Sequence, residues 1–163
     1  VMHAAGVLDD HLIVDLERKH LDPVLAPKID GTLNLHGATA DLDFFAMFSS
    51  IAAMLGSPGQ ANYCAGNAFM DALAVNRRAN GQPAVGVQWG PWAEVGMAAR
   101  ANTSETSYQR LDPTASLAAM GAILGSGSLQ NGVVGVARVN WSNFLAGFAT
   151  LPPYLTNFKS FRS

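Results

Sequence analysis

The chain has 163 residues, 49% of them hydrophobic and only 13% charged, with a formal net charge of −2, which is enough for one ordinary domain around a real core. Its few charges are scattered, so no basic patch argues for nucleic acid or an anionic membrane surface. No apolar run approaches the roughly 18 to 20 residues of a membrane span, and the single cysteine, Cys64, excludes an internal disulfide.

No Cys/His cluster has metal-ligand spacing, so no metal is expected, and Cys64 reads as a small buried hydrophobe. The opening residues lack the basic n-region of a signal peptide, and the expectation is a cytoplasmic protein.

In chain order, Val1 to Ala5 reads as the end of a buried strand with no turn, cap or leader before it, as though cut from something longer. Residues from about Ile13 to Gly37 have helical pattern, and Pro23 and Pro27 should restart or kink that helix near Lys28. Phe44 to Phe48 is a second strand. Ala61 to Arg78 is a helix rich in Ala, Met and Leu, with Arg77 and Arg78 in its last turn and Asn80-Gly81 as its cap.

Ala84 to Trp89 is a third strand. The polar stretch from Pro91 to Pro113 is either a lid over a ligand or a plain surface crossover. Pro113 to Leu124 has the early proline and later Ala and Leu of a helix, Val133 to Val139 is a fourth strand, and residues 154–163 read as a linker leaving a domain of residues 1–153. Strands alternating with helices predict an α/β fold on a parallel sheet, whose ligands sit at the carboxyl ends of the strands.

Tyr63 and Asn67 are four apart near the start of the Ala61 to Arg78 helix and share one face. Ser50 follows the second strand, so it can meet Tyr63 at the carboxyl edge of the sheet. A tyrosine with a pKa of about 10 needs a cation to act as an acid-base group near neutrality. Lys28, framed by "VLAPKIDGTLNLH", is the better candidate of the two lysines in this half, because an ammonium among apolar neighbours needs a partner or a task. A snorkelling surface lysine is the bland alternative.

The segments "HAAGVLDD", "APKIDGTLNLH", "FSSIAAMLGSPGQANYCAGNAFMDALA" and "VQWGPWAEVGM" together resemble the β-ketoacyl reductase domain of type I polyketide synthases, within the short-chain dehydrogenase/reductase superfamily. The resemblance runs from Val1 to about Pro153. It implies a Rossmann-like doubly wound sheet, NADPH as cofactor, and reduction of a β-ketoacyl thioester carried on an acyl carrier protein. Tyr63 would donate the proton, Ser50 would orient the ketone oxygen, Lys28 would lower the tyrosine's pKa, and Asn67 would position Lys28 or a relay water. The order Lys28, Ser50, Tyr63, Asn67 matches these reductases better than the wider superfamily.

The resemblance further implies backbone contacts to the cofactor from His3, Ala4, Ala5 and Gly6 and from Trp89, Gly90 and Pro91. Leu8, Asp9 and Asp10 match the signature of reductases giving the B-type, D-configured alcohol; Leu55, eight before Tyr63, stands where the opposite class carries tryptophan, and Met97 would lie on the substrate side. No glycine-rich phosphate turn is present, so the chain reads as the carboxyl-terminal part of a reductase, incomplete without the amino-terminal half and its synthase partners and inactive alone. A fatty-acid synthase reductase and a non-catalytic structural subdomain are the alternatives.

Overall fold

The computed structural model describes residues 1–94, 107–126 and 132–162. Four strands, β1 (Met2–His3), β2 (Ala46–Ser50), β3 (Val85–Trp89) and β5 (Val133–Val136), form one parallel sheet in that spatial order. Ser50 lies opposite Trp89, and Trp89 opposite Val136, so the carboxyl ends of β2, β3 and β5 stop at one level. The expected α/β fold on a parallel sheet is what the chain adopts.

Alternation along β2 explains the layering. Ala46 packs with Val85, Val87, Trp89, Leu111 and Met120 on one face, with Phe44 and Phe48 against them. Phe45 and Met47 point to the other face, against Met70 and Ala74. The first face is covered by α5 (Pro113–Gly125), which carries Met120; the second is covered by α4 (Ala61–Ala79), which carries Met70 and Ala74. Side chains of period two thus become a sheet buried on both sides.

The prolines break the first helical region as expected, with a precise consequence for the site. Helix α1 (Arg18–Lys28) tolerates Pro23 and Pro27 within it, then gives way at Ile29 to α2 (Asp30–Ala38). Lys28 is therefore the last residue of α1. Helix α4 ends at Asn80, and Gly81 takes φ 73°, a left-handed position that suits glycine.

Two expectations differ from what is observed. The strand expected over Val133 to Val139 is interrupted at Ala137: Gly90 has no room for a side chain, since a Cβ there would meet Ala137 at 3.1 Å. Past that contact the chain leaves the sheet, and β6 (Arg138–Val139) pairs antiparallel with β4 (Tyr108–Gln109). The tail read as a linker is packed: Pro153–Phe161 forms a 3-10 helix behind α6 (Trp141–Ala146), Leu155 is buried with Leu145, Ile51 and Leu55, and Trp141 stacks on Phe158 at 3.9 Å. Among the described residues no helix is long and apolar enough to cross a membrane.

Candidate active site

The carboxyl edge of β2 and the first turns of α4 bring the polar residues together. Ser50 closes β2, the short helix α3 (Ala52–Leu55) and the turn at Gly56 and Gly59 reverse the chain, and Tyr63 stands in the first turn of α4. Both glycines have positive φ, 79° and 76°, which a side chain at either position would strain. Burial pushes the Tyr63 phenol above its ordinary pKa, while hydrogen bonds with Ser50 and Asn67 pull it back. The convergence of Ser50, Tyr63 and Asn67 expected from spacing is present.

Asn67 is fully buried one turn after Tyr63. Its Nδ2 donates to the Tyr63 carbonyl at 2.8 Å, and its Oδ1 has no partner among the described residues. An unpaired buried acceptor costs free energy, so this amide is held for something other than helix stability.

Lys28 reaches the same place from α1. It is 2% exposed, its Nζ donates to the Phe48 carbonyl at 2.9 Å, and it lies 5.6 Å from the centre of the Tyr63 ring. Desolvation lowers its pKa to about 8, against an opposing pull from Asp71. The surface-lysine alternative is therefore excluded.

Gly66 makes room for this arrangement. A Cβ there would sit 2.9 Å from Lys28 Cβ and 3.2 Å from Cγ, so α1 and the lysine stem pass directly over the glycine. In an exposed helix Gly→Ala gains about 1 kcal/mol of propensity, but overpacking of a tight contact costs about 1–3 kcal/mol. Gly66→Ala is expected to lower the thermal midpoint in calorimetry rather than raise it, because the clash falls near the lysine's backbone and not at a flexible tip.

The expected cofactor-side residues lie along one edge. His3 is buried, and its Nε2 pairs with the Pro27 carbonyl at 2.9 Å; burial is the main cause that lowers its pKa. Its side chain is thus spent inside the fold, leaving backbone as its means of contact with a ligand. Ala4 and Ala5 are exposed and Gly6 is half-buried. Trp89 is buried, its Nε1 has no partner among the described residues, and Gly90 and Pro91 follow it.

The acidic loop is tied to the start of α4. Gln60 Nε2 donates to both oxygens of Asp10 at 3.2 and 3.0 Å, Asn62 Nδ2 donates to the carbonyls of Asp9 and His20 at 2.8 and 2.9 Å, and the His11 N–H donates to Gly59 at 2.8 Å. Leu8, Asp9 and Asp10 are therefore fixed beside the helix that carries Tyr63. Leu55, in contrast, is 7% exposed in the cluster with Ile51, Leu145 and Leu155. Counting back from Tyr63 finds the position but not its direction, and this leucine is spent on core packing. Met97 lies outside the described residues.

One cluster escapes sequence spacing. Asp9, His11 and His20 come within 4.8 Å of one another through the fold, although no ligand-spaced motif announces them. The two imidazoles stack at 3.8 Å, Asp9 accepts from His11 at 2.9 Å, and His20 Nδ1 accepts from the Glu17 N–H as part of the capping box of α1. These bonds already account for the cluster, and no metal is assigned to it.

Comparison with known proteins agrees with this geometry. A family profile described as the KR domain matches residues 1–94, more than half of the chain. Over 159 residues the chain is 42% identical to the polyketide synthase GfsB of Streptomyces halstedii, covering 94% of this chain and 3% of that synthase. Among solved structures, PlmKR1, the ketoreductase from the first module of phoslactomycin biosynthesis in Streptomyces sp. HK803, is 41% identical with a TM-score of 0.84, covering 99% of this chain and 38% of that one. A-type ketoreductases from a modular polyketide synthase are 36% identical with a TM-score of 0.85, covering 94% and 34%. The chain belongs to the ketoreductase domain family of type I polyketide synthases, oxidoreductases of the short-chain dehydrogenase/reductase superfamily. It spans about a third of the solved reductases and a few per cent of GfsB.

Proposed function

We propose that the reductase to which this chain contributes uses NADPH to reduce a β-ketoacyl thioester, held on the arm of an acyl carrier protein, to the β-hydroxyacyl thioester. The observation that carries this reading is the meeting of Ser50, Tyr63 and Asn67 at the sheet edge, with the buried ammonium of Lys28 5.6 Å from the centre of the tyrosine ring.

The residues present fit the nicotinamide half of a dinucleotide. Ala4 to Gly6 follow β1, Ser50 closes β2, and Gly90-Pro91 follow β3, so small residues and the catalytic serine share the carboxyl edge where such sheets hold cofactors. The cofactor would supply hydride. Gly90 also has a packing reason to be glycine, the Ala137 contact, so its side-chain economy serves both.

In the reaction, Ser50 Oγ orients the ketone oxygen, and the Tyr63 phenol gives its proton to that oxygen as the carbonyl carbon is reduced. A phenol whose pKa burial raises stays protonated through neutral pH, as a donor must, and the developing alkoxide is basic enough to take its proton. The phenolate left behind is stabilised by Asn67, Ser50 and the Lys28 ammonium, and a proton reaching it by way of Asn67 restores the donor. The alternatives, a fatty-acid synthase reductase and a structural subdomain, share the fold; the structural one gives no reason for an ammonium buried beside a tyrosine.

The Leu8-Asp9-Asp10 signature, on a loop held against Gln60 and Asn62, supports the D-configured alcohol as product. A-type reductases share the overall fold, so fold does not separate the two outcomes. The test is NADPH oxidation by the complete reductase with a β-ketoacyl thioester surrogate, followed by chiral chromatography of the alcohol. Turnover to the D product is expected; the L product would overturn the loop assignment alone, and no turnover by a folded, NADPH-binding reductase would overturn the enzymatic reading.

A further inference from the structure

Helix α4 extends the spacing of Tyr63 and Asn67 by one more turn, to Asp71 on the same face. This carboxylate is buried under the sheet at 9% exposure. Gln88 of β3, itself buried, donates to Asp71 Oδ2 at 2.7 Å, and Ser49 of β2, whose Oγ donates to the Asn67 carbonyl at 3.3 Å, is near enough to lower the pKa of the same carboxylate. Oδ1 has no partner among the described residues, and β3 approaches so closely that a Cβ on Gly86 would lie 2.7 Å from it. Two strands, β2 and β3, supply two polar side chains and one missing side chain to admit an acid into the interior.

Such an acid is costly to bury among neutral groups. The groups facing it are Gln88 from β3, Ser49 from β2 and the ammonium of Lys28 from α1. Burial raises the Asp71 pKa, while these three neighbours draw it back; reciprocally, Asp71 opposes the desolvation that lowers Lys28. Lys28 Nζ donates to the Phe48 carbonyl, so Asp71 acts on it through space.

We propose that Asp71 is the buried counter-charge of Lys28, a positioning residue that keeps the ammonium beside the Tyr63 ring while Gln88 holds the carboxylate in place. The proposal rests on the role assigned above to Lys28 and Tyr63. A purely structural Asp71 would tie α4 to β3 through Gln88 and leave the lysine's proton unaffected.

The two are separated by the pH dependence of kcat in the complete reductase. Removing the anion by Asp71→Asn takes away what opposes the lowering of the Lys28 pKa, so the ammonium is lost at lower pH. The alkaline fall in kcat is expected to move acidward by about one pH unit, with kcat near neutrality reduced about tenfold and the KM for NADPH nearly unchanged. The double exchange Asp71→Asn with Gln88→Glu returns a negative charge across the same hydrogen bond and is expected to move the limb back.

An Asp71→Asn enzyme with an unshifted alkaline limb overturns the proposal, as does a double exchange that folds and leaves the limb where the single variant put it. Should Asp71→Asn not fold, Asp71→Ser serves in its place: it also removes the anion, the same acidward movement is expected, and no movement counts against the proposal. Failure of the catalytic reading itself looks different, because the unsubstituted reductase then shows no turnover at any pH.

Discussion

Replacing Tyr63 with Phe is expected to lower kcat of the complete reductase by about 10²- to 10⁴-fold, the usual range for a lost general acid, with NADPH affinity unchanged. The substitution removes one oxygen. That oxygen lies beside Ser50 and Asn67, in a site whose burial raises its pKa. The ring remains, so the packing of α4 on Lys28 and the sheet survives, and thermal stability should change by no more than about 1 kcal/mol, the net worth of a hydrogen bond. Steady-state NADPH oxidation beside fluorescence titration of NADPH separates the two effects. A variant that keeps most of its kcat would show that the proton comes from elsewhere, and a variant that loses NADPH binding would show that the hydroxyl is structural.

Much of this site is legible in the sequence because its geometry is local. Tyr63 and Asn67 are one helical turn apart, and a helix rich in Ala, Met and Leu fixes that relation before any tertiary contact forms. Ser50 follows from a strand end and two glycine turns. Lys28 needs more, since its 35-residue separation from Tyr63 is closed by packing of α1 on α4, and Gly66 is the sign of that contact in the sequence. Asp71 continues the i, i+4 series and was open to the same argument, but a carboxylate on a helix usually faces water, and only the approach of β3 at Gly86 shows that this one does not.

The failures are of one kind. Two prolines at the start of the tail point to a linker, whereas Leu151, Leu155 and Phe158, spaced four and three apart, make an apolar face that packs with Leu145, Ile51 and Leu55. Leu55 is used in packing that its distance from Tyr63 along the chain does not reveal. In both cases the deciding partner, the cluster around Leu145, is distant in sequence.

Lys28→Met is expected to lower kcat by about 10²-fold or more, by the same general-acid argument, since the phenolate left after proton transfer loses its nearest cation. Its effect on stability near neutrality is expected to be small, because opposing changes meet there. Removing a buried ammonium relieves desolvation, but it also leaves the Phe48 carbonyl without its donor and Asp71 without its counter-charge. What survives this cancellation is the pH dependence. The folded pKa of Lys28, about 8, lies below its ordinary 10.5, so between those values the unfolded chain binds the proton that the folded chain has released. Stability then rises with pH across that window, and the burial cost is fully present below it. The unsubstituted reductase should therefore gain about 2 kcal/mol on Lys28→Met between about pH 7 and pH 10. Urea unfolding of both proteins at several pH values measures that difference directly. Parallel profiles would mean that Lys28 keeps an ordinary pKa in the fold, and its part in stabilising the phenolate would then lose the support of a strained, buried ammonium; diverging profiles with kcat lost in the variant would show that the protein holds this lysine charged at a cost that folding alone does not require.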